Sequence, residues 1–410
     1  ATMIGQPSWV IWIASILMGF TQSFVYAEIA GLYPNKSGGA SVYGAAGWLP
    51  YSKFIAPISV WCNWLAWSPV LALGTSLGAG YVMASLFPAD SAIRQWQFDL
   101  VALDFIREGL HLRVNLVSII ATGFLLLTFA LQHHGAARAA NFQKILGIAC
   151  MLPLLLVGLV PLITGDLPRE NLFPLLPILR DAAGNIGFGA WDAAGLTLLA
   201  GAMFGAGWST YGFETAVCYT REFKNPAKDT ARAIFASGLL CMAIFTLVPL
   251  VFQASLGLEG MLDPSIYDGS GVANALAKIL GGGAVIGNLL IVMLVLALLL
   301  IVMTSMMGSS RTLYQASVDG WFPRYLSRVN AHGAPTAAMW TDLVFNLVLL
   351  LASDYFAVLM ISNVCYFVFN FLNLQSGWIH RIDRSDWNRP YRCPIWLLAT
   401  GAVPVSTAVT

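Results

Sequence analysis

The stretch Ala202–Asp229, AMFGAGWSTYGFETAVCYTREFKNPAKD, decides the fold. It begins as an apolar helix, breaks at Trp208–Gly212 among glycines and hydroxyl groups, and carries Glu214 just after the break. It ends in a basic loop that contains Arg221. A broken helix with a carboxylate is costly in lipid and is tolerated where the freed backbone groups line a protected cavity. The stretch therefore predicts a binding site at the break.

Composition places that site in a membrane. Of the 410 residues, 58% are hydrophobic and 10% are charged, whereas a soluble domain carries about 25% charged residues. Apolar runs of about 20 residues recur, which is the length that spans a hydrocarbon core of about 30 Å. The alternation of a barrel strand is absent, so we predict an all-α polytopic membrane protein that contacts lipid. A net charge of +1 indicates no nucleic-acid partner.

The apolar runs also predict the order of the helices. We expect them at about residues 8–31, 56–87, 114–132, 143–164, 194–218, 233–255, 284–312, 336–352 and 355–379, with the start of another from about 395. The connections alternate between two sides. Most of the 21 lysines and arginines fall on the side that holds residues 32–55, 133–142, 219–232, 313–335 and 380–394. By the positive-inside rule, we predict that this side is cytoplasmic.

No sequence motif indicates chemistry on a substrate. His133 and His134 lie at a helix end with no other His or Cys at ligand spacing, so we predict a solvated pair and no metal site. We find no nucleophile–base set and no phosphate-binding loop, and we predict no cofactor and no enzyme activity. Six cysteines in or beside apolar runs are interpreted as small buried hydrophobic residues: Cys62, Cys150, Cys218, Cys241, Cys365 and Cys393.

Three features have two interpretations each. Glu28 either reaches interfacial water at its helix end, or is a buried carboxylate that holds neighbouring helices or takes part in proton coupling. Trp64, like the tryptophans near it, is either a structural residue of an interfacial belt or of the core, or it lines a substrate cavity. The hydroxyls of Thr304 and Ser305 either bond to their own helix backbone or line a cation or substrate site.

Four blocks of the sequence, taken together, resemble the amino acid–polyamine–organocation (APC) superfamily. They are Ala27-Glu28 through Pro34 to Gly38-Gly39 and Tyr43; Gly212-Phe213-Glu214 through Lys224-Asn225-Pro226; Ser310-Arg311 through Asp319-Gly320 to Pro323, with Pro335; and Arg389-Pro390-Tyr391-Arg392-Cys393-Pro394. Each block alone is weak evidence. All four, in this order and on the predicted cytoplasmic side, are strong evidence.

The resemblance implies a LeuT-type fold of two inverted repeats, with the binding site near the membrane midplane. Residues 1–164 would be the remainder of the first repeat (family helices two to five) and residues 165–379 the second repeat (family helices six to ten). Residues 380–410 would be a cytoplasmic loop and the start of family helix eleven. Because the chain begins with Ala1 instead of Met and stops at Thr410 in an apolar stretch, we expect the family's first helix and its C-terminal end to lie outside it.

The resemblance also implies roles for individual residues. At the break, the substrate would be bound by Trp208, Ser209, Thr210, Tyr211 and Gly212. More loosely, it would be lined from other helices by Trp64, Ser68 and Ser362. Gating or coupling would involve Glu28, Glu214, Lys144 and Arg311. Thr304 and Ser305 would suit a cation, with H⁺ or Na⁺ as the coupling ion. Many relatives carry a lysine within family helix five, whereas this chain has Lys144 only at the helix end, so proton coupling through such a lysine is in doubt.

We therefore expect a secondary active transporter (permease) for amino acids or related amines in the cytoplasmic membrane, working by alternating access. In relatives, the family's first helix supplies the other half of the site. The half in this chain is uncharged apart from Glu214, which favours a neutral substrate. One rival is a non-transporting sensor or accessory subunit on the same scaffold, which would bind a ligand without flux. Another is an intramembrane enzyme, which would need a polar pair on facing helices. The predicted helices offer only Glu28 and Glu214 as deep acids.

Overall fold

The computed structural model describes residues 2–88, 90–105, 108–134, 136–165, 167–180, 186–207, 212–267, 271–352 and 355–398. Helices dominate these ranges. In chain order, the α-helices are α1 Ser8–Gly31, α2 Ala40–Trp48, α3 Ile55–Trp67, α4 Pro69–Leu86, α5 Ala92–Gln95, α6 Leu116–His133, α7 Ala136–Thr164, α8 Ala193–Gly207, α9 Pro226–Met261, α10 Pro264–Tyr267, α11 Val272–Ile279, α12 Ala284–Val318, α13 Thr336–Leu349 and α14 Tyr355–Asp383.

Short elements lie between these helices. Two antiparallel hairpins are formed by β1 Gln97–Ala102 with β2 His111–Asn115, and by β3 Ile178–Arg180 with β4 Ile186–Phe188. The tighter 3₁₀ helices cover Arg169–Asn171, Phe213–Glu222 and Arg324–Ser327. None of these segments has the length of a membrane span.

Seven helical segments within the described ranges are long and apolar enough to cross a membrane, and α3 and α4 together form one of them. Helices α8 and α13 are apolar but shorter. A helix satisfies all of its interior backbone groups within one segment, which is what a lipid environment requires. The helix content confirms the predicted all-α polytopic class.

The first helix matches its predicted bounds, since α1 begins at Ser8 and ends at Gly31. The single helix predicted over residues 56–87 matches one membrane span, Ile55–Leu86, in which two helices, α3 and α4, meet at Ser68. Pro69 begins α4. Its ring has no backbone N–H to donate to the preceding turn, and proline is favoured at the first position of a helix for that reason.

Within the helix predicted over residues 194–218, α8 covers Ala193–Gly207, and residues 208–211 lie outside the described ranges. After Gly212, the chain forms a 3₁₀ helix to Glu222 instead of an α-helix. The predicted connection 32–55 contains the helix α2, which begins after Gly39 with a φ of 89°. That left-handed conformation is readily adopted only by glycine.

The β1–β2 hairpin was not expected in the predicted connection between the second and third helices. Arg113 lies 2.5 Å from the carboxylate of Asp99 across the two strands and lowers the pKa of that carboxyl. The Arg113 backbone N–H also donates to the Leu351 carbonyl at 2.6 Å. Asn115 then begins α6 through a capping box with Ser118, an arrangement that satisfies free N–H groups of the first turn.

One compact unit comprises Ala1–Phe20, Ile148–Tyr211 and Ala236–Leu294. In its core, the small residues Ala202 and Ala206 of α8 pack with Ile4 and Ile11. The Ser15 hydroxyl donates to the Ala206 carbonyl at 3.1 Å. Small side chains let helices approach closely enough for such a bond.

The other compact unit comprises Thr21–Gly147, Gly212–Phe235 and Val295–Thr410. Its core includes Leu71, Leu125, Val302 and Leu343, which are fully buried and come from α4, α6, α12 and α13. Helix α14 packs against α2 and α3. The two units each combine segments of both predicted repeats, so the repeat boundaries stay a prediction.

Gly44 marks a close approach of α2 to α14. A Cβ atom at Gly44 would clash with Asn373 Oδ1 and lie 3.1 Å from Asn373 Cα. The helices are held together there, since the Trp48 indole donates to the Leu372 carbonyl at 2.7 Å. We therefore expect Gly44→Ala to lower the stability by about 1–3 kcal/mol, because the extra methyl overpacks the contact.

Thermal melting of the purified protein in detergent measures this effect. The matched control is Gly123→Ala in α6, where a Cβ would meet nothing within 4 Å. That variant should keep or slightly raise the Tm, since alanine is the better helix former. Equal melting temperatures for the two variants would show that α2 and α14 do not make this contact.

Candidate functional site

The predicted break lies partly outside the described residues. Trp208, Ser209, Thr210 and Tyr211 are among those outside, so their substrate contacts stay predictions. Gly212 is described and has a φ of 118°. This left-handed conformation strains any residue with a Cβ, so the sharp turn at this point depends on glycine.

Glu214 follows that turn at the start of the 3₁₀ helix and is 1% exposed. Neither of its carboxylate oxygens has a hydrogen-bond partner among the described residues. The donors nearest to the carboxylate are the indole of Trp67 and the backbone N–H of Gly212. A buried carboxylate without a partner is expensive, which points to a group that binds there.

Two buried hydroxyls close to Glu214 are also unpartnered within the described part of the chain. Tyr26 on α1 is 1% exposed, and the charge of Glu214 acts on its phenol. Thr215 is the next residue along the chain, and its Oγ1 atom also has no partner. Native proteins pair nearly all buried polar groups. We call Tyr26, Trp67, Gly212, Glu214 and Thr215 the Glu214 cluster.

Sequence reasoning missed Tyr26. Its only signal in the sequence is a phenol in an apolar helix, two residues before Glu28. A buried tyrosine normally finds a hydrogen-bond partner for its hydroxyl. The tyrosine could therefore have been chosen as a candidate. Its contact with Glu214 could not be predicted, because the two residues are far apart in sequence and meet only in the folded protein.

The more loosely predicted lining residues are bonded within the protein. Ser68 donates to the carboxylate of Asp342 at 2.8 Å, and the Trp64 indole donates to the same oxygen. Ser362 donates to the backbone carbonyl of Ala66 at 2.7 Å. Their polar atoms thus have protein partners already, and a role in lining the substrate site stays a prediction.

Asp342 on α13 is a third deep acid, so the expectation that Glu28 and Glu214 are the only ones is wrong. Its side chain is fully buried. One carboxylate oxygen accepts from Trp64 and Ser68, and the other accepts from Ser309. Asn346, one turn later, donates to Ser68 at 2.8 Å and to the Asp342 carbonyl at 2.9 Å. We call these five residues the Asp342 cluster.

Trp64 also lines an open cleft of about 630 Å³ beside α13, together with Trp340, Val344 and Phe345. The cleft is lined mainly by apolar side chains. It offers little for the charged groups of an amino acid, which need hydrogen-bonding or ionic partners. Of the two polar sites, the Glu214 cluster is the one with free hydrogen-bonding capacity, because the carboxylate of the Asp342 cluster already accepts from Trp64, Ser68 and Ser309.

Glu28 follows the second of its two interpretations, since it is buried at 2% exposure. Arg381 binds both oxygens at 2.9 and 2.6 Å, and Arg389 binds one at 3.1 Å. The backbone N–H of Cys393 donates to it at 2.7 Å. Two-pronged arginine pairs are the strongest of the protein ion pairs. Glu28 therefore ties the end of α1 to α14 and to the segment after it.

The remaining predicted gating residues lie in different settings. Arg311 on α12 makes a two-pronged pair with Glu222 at 2.6 and 3.2 Å, and it also donates to the Met307 carbonyl. Lys144 is exposed on α7. A gating role for any of these residues stays a prediction.

The four sequence blocks meet in space. The Tyr43 hydroxyl donates to the Val217 carbonyl at 2.8 Å, which joins the first block to the second. The Thr312 hydroxyl donates to the Gly38 carbonyl at 2.8 Å, which joins the third block to the first. The pair of Glu28 with Arg389 joins the first to the fourth. Segments far apart in sequence thus form one bonded layer on the predicted cytoplasmic side.

The predicted cation-binding hydroxyls behave differently from each other. Thr304 donates to the carbonyl of Leu300 at 2.9 Å, one turn earlier in its own helix, which is the backbone alternative. Ser305 is buried, and its hydroxyl has no partner within the described residues. In the same ranges, no three His, Cys, Asp or Glu side chains converge as a metal site would require.

Comparison with known proteins gives the chain its relatives. The sequence model of the amino acid permease family matches residues 1–409. Over 231 residues, or 55% of this chain, it is 26% identical to the branched-chain amino acid permease BcaP of Lactococcus lactis subsp. cremoris, and the match spans 45% of that protein. Over 372 residues, or 87% of this chain, it is 24% identical to an uncharacterized transporter of Legionella pneumophila subsp. pneumophila, and the match spans 68% of it.

These matches agree with the four sequence blocks and with the apolar helices. They confirm the resemblance to APC permeases and the expectation of a multi-pass membrane protein. The chain belongs to the amino acid permease family.

Proposed function

We propose that the protein is a secondary active transporter that moves amino acids or related amines across the cytoplasmic membrane by alternating access. The observation that carries the proposal is the Glu214 cluster, where the buried polar atoms of Tyr26, Glu214 and Thr215 have no partner among the described residues and lie beside the turn at Gly212. The substrate binds at this cluster, with the predicted contacts of residues 208–211 next to it in the chain.

The chemistry of an amino acid suits these groups. Its ammonium satisfies the buried carboxylate of Glu214, and its carboxylate accepts from a hydroxyl such as that of Tyr26. Each pairing removes the cost of an unsatisfied buried group. A proton on Glu214 would satisfy the same carboxylate, so this residue is also our candidate for coupling transport to H⁺. Glu214 is the only charged member of the cluster, which favours a neutral substrate.

The bonded layer on the predicted cytoplasmic side supplies the gate. Alternating access requires the substrate site to open toward one side of the membrane at a time. Opening toward the cytoplasm would part contacts such as Glu28 with Arg389 and Arg311 with Glu222. The energy of substrate and coupling-ion binding must offset the loss of these contacts.

Replacing Gly212 tests the site. We expect Gly212→Val to abolish saturable amino-acid binding, because valine is strained at a φ of 118° and would displace the turn that sets Glu214. Equilibrium binding of radiolabelled amino acid to the purified protein measures this. A branched-chain amino acid is the first to test, since one relative is named a branched-chain amino acid permease.

The matched control is Gly109→Val. Gly109 has a φ of 77° in the exposed turn of the β1–β2 hairpin, so it carries comparable strain away from the cluster. The control should bind as the wild type does. Wild-type affinity in Gly212→Val would overturn the site. Binding by the wild type without flux into liposomes would leave the site in place and make the protein a sensor.

A further inference from the structure

Two cysteines on neighbouring helices form a thiol pair. Hydrogen bonds join α3 to α14 from Ser59 to Asn373 at 3.4 Å and from Ser362 to Ala66 at 2.7 Å. Cys62 and Cys365 lie between these two contacts, each on its own helix, and the two thiols are close enough to act on each other. Both are partly exposed, whereas Cys150, Cys218 and Cys393 are buried. The interpretation of all six cysteines as buried hydrophobic residues is therefore wrong for Cys62, Cys241 and Cys365.

The two helices approach closely at this point. Ser362 donates from its short side chain to the backbone carbonyl of Ala66 at 2.7 Å. Ala66 lies one turn after Cys62, and Ser362 lies about one turn before Cys365. A serine hydroxyl can reach the backbone of a neighbouring helix only when the two helices are in close contact. Small residues such as alanine and serine permit that contact. Facing side chains on helices this close can be joined by a disulfide.

We infer that Cys62 and Cys365 are a redox modification site, at which a hydroperoxide converts the two thiols to a disulfide that ties α3 to α14. The Cys62 or Cys365 thiolate attacks one peroxide oxygen, which gives a sulfenic acid and releases one water from hydrogen peroxide. The second thiol attacks the sulfenic sulfur and releases the other water. In total, two thiols lose two hydrogens and two electrons, and the peroxide gains them as two waters.

Access to the pair favours a small neutral oxidant. The residues next to the two cysteines are apolar and exposed. Trp61 is 48% exposed and Val364 is 52% exposed. Such a surface faces lipid in a membrane protein. Hydrogen peroxide is uncharged and small, so it suits this environment better than a charged reagent does.

The disulfide also has a mechanical consequence. It would link residues about 300 positions apart in the chain, and closing so long a loop restricts the unfolded state strongly. Any motion of α3 against α14 would be blocked while the link is present. The oxidised protein should therefore melt at a higher temperature and lose flux, and a reductant such as dithiothreitol should reverse both effects.

The experiment treats the protein in lipid nanodiscs with hydrogen peroxide, blocks free thiols with N-ethylmaleimide and maps disulfide peptides by mass spectrometry. We expect a cross-linked peptide joining Cys62 to Cys365 in the wild type. It should be lost in Cys62→Ser and in Cys365→Ser. Cys241→Ser is the matched control, because Cys241 is partly exposed and lies on α9, and this variant should keep the cross-link.

The outcomes separate the inference from the proposed function. Two free thiols after treatment, or a cross-link that persists in Cys62→Ser, would overturn the modification site. The peptide map does not depend on transport, so it decides this even if no flux is found. Where the wild type does transport, flux that is unchanged by the complete cross-link would overturn the claim that the disulfide restrains the cycle.

Discussion

Replacing Glu28 with glutamine should lower the stability of the folded protein by about 3–5 kcal/mol. The carboxylate side chain is 3% exposed and faces the guanidinium groups of Arg381 and Arg389, which are 11% and 8% exposed. The amide keeps the volume but removes the charge, so two buried cations lose their counter-charge. Thermal melting in detergent measures the loss, and size-exclusion chromatography shows whether the variant stays folded.

A control and a rescue sharpen this test. Asp99→Asn breaks the pair with Arg113 at the exposed hairpin, where ion pairs contribute little, and it should melt close to the wild type. Adding Arg381→Met to Glu28→Gln should recover part of the stability, since one stranded charge is removed. If the two changes at Glu28 and Arg381 are additive, the pair is not coupled and the account of this contact fails.

Replacing Asp342 with leucine should have the next largest effect. The change keeps a similar volume but leaves the Trp64 indole and the hydroxyls of Ser68 and Ser309 without an acceptor. Each stranded buried donor costs about 1–3 kcal/mol, so we expect a total of about 3 kcal/mol or more. Urea or thermal unfolding in detergent measures the difference.

The control for Asp342 lies next to it in the chain. The Thr341 hydroxyl bonds to the Ala337 carbonyl of its own helix at 2.9 Å. It also bonds to the exposed Tyr325 hydroxyl at 3.3 Å, where water can replace it. Thr341→Val therefore leaves no buried partner unsatisfied, and its effect should stay below about 1 kcal/mol. Equal stability of the Asp342→Leu and Thr341→Val variants would mean that the Asp342 cluster does not hold α3, α12 and α13 together.

Much of the fold could be predicted because a membrane limits the choices. Apolar runs of spanning length can only be helices or barrel strands, and the bounds of α1 were predicted correctly because its apolar run stops before Pro34. The nine-residue helix α2 was missed. It is too short to show a periodic pattern and consists largely of small residues, so the chain there looks like a loop.

In the candidate sites, contacts between helices could not be predicted from the sequence. The break beside Glu214 was visible because glycines and hydroxyls interrupt an apolar run. Asp342 was missed because one carboxylate in a short apolar helix gives no pattern, and its three donors come from other helices. The Cys62–Cys365 pair was missed for the same reason, since residues so far apart meet only through the packing of α3 on α14.

The four sequence blocks were recognisable in the sequence, but the contacts between them were not. Their order and types were enough to indicate the family, which the match over residues 1–409 confirms. Their contacts were not predictable, because a hydrogen bond such as that from Thr312 to Gly38 depends on where two helices cross. The contacts now give a physical reason for the residue types, since Gly38 has a φ of 108° that few other residues adopt.

Accumulation of a radiolabelled branched-chain amino acid in liposomes containing the protein tests the central claim most directly. For the full-length protein, we expect saturable uptake by the wild type and a loss of about tenfold or more in Glu214→Gln, because a charge-assisted bond at the Glu214 cluster is worth at least about 1.4 kcal/mol. Glu108→Gln, at the exposed hairpin turn, should transport as the wild type does. Uptake by Glu214→Gln equal to that of the wild type at every pH would contradict the account.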